Sequence, residues 1–86
     1  MRNYLVELQL PSAGAASLAV AGARARSAVE ELASEGVTVR WIRSVYVAEE
    51  DACFLVFEAP SPEAVGEAAR RAALEYQRIV EGGDPA

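Results

Sequence analysis

The stretch that decides the fold is Trp41-Ile42-Arg43-Ser44-Val45-Tyr46-Val47, Ala48-Glu49-Glu50-Asp51-Ala52, then Cys53-Phe54-Leu55-Val56-Phe57-Glu58-Ala59-Pro60-Ser61-Pro62-Glu63. It reads as two β-strands joined by an acidic hairpin loop and delivered directly into a capped helix. Ser61 supplies an N-cap, Pro62 stands at the first helical position where its missing donor costs nothing, and Glu63 faces the positive end of the helix dipole. The helix is expected to run through Val65, Ala68, Ala69 and Ala72 toward Tyr76, since no glycine marks its end.

Tyr4 to Leu10 alternates with period two, putting Tyr4, Val6, Leu8 and Leu10 on one face and Leu5, Glu7 and Gln9 on the other. Pro11-Ser12-Ala13-Gly14 ends that strand. From Ser17 to Glu35 the apolar spacing becomes helical through Leu18, Ala21, Ala25, Ala28, Val29 and Leu32, with Gly36 as a left-handed cap. Arg26 and Glu30 are spaced to pair on its exposed side. Val37 to Val47 is the second strand, Cys53 to Glu58 the third, and Arg78 to Glu81 a short last one. The expected organisation is one domain over residues 1–81 and a loose tail over 82–86.

The order β-α-β-β-α-β specifies an α+β, ferredoxin-like fold. Right-handed crossovers put both helices on one face of a four-stranded antiparallel sheet, with the first and third strands central and adjacent. The other face stays open. Pairing Val47 with Cys53 would put Trp41, Arg43, Val45, Val47, Cys53, Leu55 and Phe57 on one side, and Ile42, Ser44, Tyr46, Phe54, Val56 and Glu58 on the other. A slip of one residue would exchange the faces of one strand relative to its neighbour.

Composition excludes several functions. The net charge of −5, from 13 acidic and eight basic residues, offers no electrostatic footprint for nucleic acid or an anionic membrane surface. All eight basic residues are arginine, and histidine is absent. Schiff-base lysines, imidazole bases, Ser-His and Cys-His pairs and histidine metal ligands are therefore unavailable. No cofactor is implied. An N-terminus that enters strand pattern without an apolar signal core points to the cytoplasm. At 86 residues the chain buries only about 60 to 65% of its unfolded surface, so self-association is expected.

Tyr4-Leu5-Val6-Glu7, Gly36-Val37 leading to Trp41, Ser44-Val45-Tyr46-Val47, Asp51, Cys53, Glu58-Ala59-Pro60-Ser61-Pro62-Glu63-Ala64-Val65 and Arg78-Ile79 resemble the small nickel-binding-protein family. The resemblance implies a ferredoxin-like fold that is frequently dimeric. Where that family has a Gly-Leu-Pro-like turn before the last strand, this chain has Leu74-Glu75-Tyr76, which lets the second helix run longer. Nickel favours imidazole, and this chain offers carboxylates, amides and a single thiol.

Glu7 and Glu58 carry the expected site. Both fall on the central strands and are expected to lie close together on the open face, with Ser44 and Tyr46 beside them. If two open faces meet in a homodimer, these four side chains would line a cavity for a small polar or cationic ligand. The competing reading has the glutamates keeping the sheet soluble, or pairing across subunits with Arg2, Arg40 or Arg78. Glu49-Glu50-Asp51 reads as a solvated loop tip, Cys53 as a buried strand cysteine, and Trp41 as a core residue at the sheet edge. The function that follows is a non-enzymatic dimeric module for a small ligand, a weakly held metal or a protein partner. The alternative is a dimeric α+β-barrel enzyme, a cofactor-free monooxygenase or isomerase, with Tyr46 or Glu7 as acid or base.

Overall fold

The computed structural model describes residues 1–9 and 15–82. Along the chain these form β1 (Arg2–Leu8), α1 (Ala15–Ser34), β2 (Arg40–Val47), a single 3-10 turn (Ala48–Glu50), β3 (Ala52–Ala59), α2 (Pro62–Arg71) and β4 (Tyr76–Gly82). The break expected at Pro11–Gly14, the placement of Leu10, and residues 83–86 of the tail lie outside the described residues. The four strands pair antiparallel in the order β2-β3-β1-β4, the ferredoxin-like arrangement with β1 and β3 central.

One face of the sheet is closed by both helices. Tyr4, Val6 and Leu8 of β1 and Cys53, Leu55 and Phe57 of β3 form a single core with Ala21, Ala25, Val29 and Leu32 of α1 and Val65 and Ala68 of α2. Small side chains dominate the helix surfaces, which lets the helices settle close to the large strand residues. At Gly22 the approach is tightest: a Cβ there would lie 3.0 Å from the Trp41 ring and 3.2 Å from Ser44 Oγ.

The helix ends follow from local chemistry. Gly36 takes φ 87°, and the Gly36 and Val37 amides donate to Ala33 and Leu32 carbonyls at 3.0 and 2.9 Å, closing α1. Ser61 Oγ accepts from the Ala64 amide at 3.3 Å to start α2. The end of α2 departs from expectation. The helix stops at Arg71, Ala73 adopts the left-handed φ of 55°, and the Leu74 amide donates to the Ala69 carbonyl at 3.0 Å. An alanine thus does what glycine usually does, so the sequence carries no sign of the stop. Tyr76 consequently opens β4, opposite Leu8, and the strand continues through Gly82, opposite Asn3.

The register of β2 corrects the expected faces. Tyr46, rather than Val47, stands opposite Cys53, and Ser44 stands opposite Leu55. Ser44 and Tyr46 therefore lie on the helix-covered side, while Arg43 and Val45, opposite Val56 and Phe54, lie on the open side. Trp41 keeps its expected face and stands opposite Phe57, because Ile42 is an extra residue between Trp41 and Arg43. That bulge reverses the alternation of everything after it.

Candidate functional site

The uncovered face is built by Leu5 and Glu7 of β1, Phe54, Val56 and Glu58 of β3, Arg40, Arg43 and Val45 of β2, and Arg78 and Val80 of β4. Leu5, Val45, Phe54 and Val56 are half-buried, and Val80 is 40% exposed. No described helix of the chain crosses these five side chains. They form an apolar band bordered by charge.

Glu7 and Glu58 share this face, as expected, but not as neighbours. Glu58 stands opposite Asn3 and Glu7 opposite Phe54, so they are four residues apart along the strands, about 13 Å. Each has its own arginine: Arg78 Nε donates to Glu7 Oε1 at 2.7 Å, and Arg40 Nη1 to Glu58 Oε1 at 3.2 Å. Their partners are the arginines expected to act between subunits, placed instead within one chain. Among the described residues Arg43 has no carboxylate within 4.0 Å, leaving the face with one more positive than negative charge.

Ser44 and Tyr46 do not join the two glutamates. Ser44 sits under α1 beside Gly22 and Trp41. Tyr46, 47% exposed at the sheet edge, donates its hydroxyl to Asp51 Oδ1 at 3.1 Å. That hydrogen bond, with a smaller contribution from desolvation, raises the Tyr46 pKa above its ordinary value. A phenol held this way resists giving up its proton, the reverse of what a catalytic base needs. Cys53 is buried, and desolvation pushes its thiol up, which disfavours the reactive thiolate.

The acidic loop tip is less isolated than its sequence suggests. Glu50 and Asp51 border a groove of about 420 Å³ together with Glu7, Glu75, Gln9 and Gln77, at the edge of the sheet near the end of β1. No three acidic or cysteine side chains among the described residues are close enough to hold one metal ion. Away from the sheet, Arg71 ties the two helices together, donating to Glu31 at 2.9 Å, Glu35 at 2.8 Å and Glu67 at 2.7 Å. With Arg70 as the stronger influence and Arg71 the second, Glu67 is held down to about 2. Arg26 lies over the Trp41 ring, 5.2 Å from its centre, instead of pairing with Glu30.

The fold and its uncovered, charge-bordered face define a small ferredoxin-like α+β protein. The chain belongs to the family of nickel responsive proteins like SCO4226, whose family model matches residues 4–81. The crystal structure of SCO4226 from Streptomyces coelicolor A3(2) superposes with a TM-score of 0.77 at 16% identity, covering 98% of this chain and 99% of that one. At that identity the likeness speaks for the fold. No curated protein matches the chain.

Proposed function

We propose that the protein is a non-enzymatic cytoplasmic homodimer whose two copies pair through their open sheet faces to form a binding or interaction module. The observation supporting this reading is the apolar band of Leu5, Val45, Phe54, Val56 and Val80 between the Glu7–Arg78 and Arg40–Glu58 couples. Because each couple carries both signs, a two-fold copy set against it finds an arginine for each glutamate. A chain of 86 residues also gains from covering a second apolar surface. No described helix is long and apolar enough to cross a membrane. Native mass spectrometry at micromolar concentration should give twice the 9.1 kDa chain mass. A monomer across the concentration range would overturn the paired-face reading.

The chain's family is one of nickel responsive proteins, so nickel is the metal of interest. The ligands this chain can offer are hard oxygen donors, chiefly the carboxylates of Glu7, Glu50, Asp51 and Glu75 around one groove. Divalent nickel is therefore expected to bind no more tightly than calcium or magnesium. Isothermal titration of chelator-treated protein checks this, and sub-micromolar nickel affinity would contradict it.

A further inference from the structure

On the helix side, the end of β1, the first half of α1 and the turn from α2 to β4 line a half-open cavity of about 340 Å³. Leu8, Val20, Ala21 and Leu74 supply apolar wall, and Leu8 and Ala21 are buried members of the core. The volume lies at the small end of the range for specific small-molecule sites.

Two opposite charges border this cavity, Arg24 from α1 and Glu75 from the turn. Neither forms an ion pair with the other, or with any other described residue. The turn is fixed in place: the Gln9 amide donates to the Glu75 carbonyl at 2.9 Å, and Ala73 holds its left-handed conformation just before it. Glu75 is therefore presented by an anchored segment. A simple anion in the cavity would meet Arg24 but be repelled by Glu75, and a simple cation would meet the reverse. A molecule that carries both charges on groups attached to one carbon, with an apolar arm, meets both charged residues and the apolar wall.

We propose that this cavity binds a small apolar α-amino acid as its zwitterion. The carboxylate is held by the guanidinium of Arg24, a match suited to two parallel hydrogen bonds, and the ammonium by Glu75. The apolar side chain lies against Leu8, Val20 and Leu74. The cavity includes none of the apolar band of the open face, so binding and dimerisation are measured independently and either can fail alone.

The test is a titration of isotopically labelled full chain followed by amide NMR, with three probes: L-leucine, isocaproate without the ammonium, and isopentylamine without the carboxylate. L-leucine should shift the amides of Leu8, Val20, Ala21 and Leu74 saturably, with a Kd on the order of 1 mM, and each singly charged analogue should bind at least about tenfold more weakly. Arg24→Gln should abolish the advantage of leucine over isopentylamine, and Glu75→Gln its advantage over isocaproate. Lack of saturation by about 10 mM leucine, equal binding of all three probes, or shifts centred on Phe54 and Val56 instead would each overturn the proposal.

Discussion

The two faces of this sheet are made from the same strands, yet one is finished and the other is not. Under the helices, Tyr4, Val6, Leu55 and Phe57 are at most 1% exposed, locked against α1 and α2. On the far side, their immediate sequence neighbours Leu5, Phe54 and Val56 are only half covered. The charges differ too. The interior face is apolar throughout its centre, whereas the open face neutralises its two glutamates with arginines from the edge strands. With both glutamates already paired, this face can be covered by a second body without stranding a carboxylate, and can stay wet without one; among the described residues, Arg43 is the charge on it that still lacks a partner.

Replacing one residue from each face sharpens the contrast most. Leu55→Ala should cost about 3 kcal/mol in urea unfolding, through lost transfer energy and a cavity the packed helices cannot close. Its neighbour Val56→Ala should cost well under half of that in the monomer. Equal losses at the two positions would mean that the open face is packed as tightly as the covered one.

Gly22→Val tests how closely α1 sits on the covered face. The added side chain meets the Trp41 ring and Ser44 Oγ, and it should lower stability by about 2 kcal/mol with loss of near-ultraviolet tryptophan signal. A variant as stable as the parent would show that α1 has room to lift.

A smaller effect of opposite sign is expected at Ala73. Its φ of 55° strains an L-residue, so Ala73→Gly should raise stability by about 1 kcal/mol, read from the unfolding midpoint. Destabilisation would indicate that the turn is not held in the left-handed region.

The helix clamp should show itself only in acid. Glu67 is held at about 2, below its ordinary 4.5, so its contribution is complete above pH 4.5 and fades as pH falls toward 2. Glu35 is shifted in the same direction by its hydrogen bond from Arg71. Unfolding midpoints should therefore decline across that window, and Arg71→Gln should flatten the decline. Because the groups are exposed, the effect should also shrink in high salt.

The strand and helix order, the Gly36 cap, the Ser61 cap and the apolar residues under the helices were legible in the sequence, since each rests on a period or on a residue with one strong local preference. The misplaced parts share another cause. Ile42 has no distinguishing chemistry, so nothing announced the bulge that turns Ser44 and Tyr46 inward and brings Arg43 and Val45 out. Ala73 likewise gives no hint of a left-handed cap. Glu7 and Glu58 were legible as open-face residues, but their arginines depend on pairing between strands far apart in sequence, which no local pattern encodes. That Arg24 and Glu75 border one cavity is hidden for the same reason.

That the open face is where a second copy attaches is tested by sedimentation equilibrium of Val56→Arg beside the parent protein. A second positive charge beside the unpaired Arg43, in the middle of the apolar band, should leave the circular dichroism spectrum intact and give a 9.1 kDa monomer where the parent sediments as a dimer. A Val56→Arg protein that remains dimeric with parent affinity would contradict this, and would move the interface to the helices or to a strand edge.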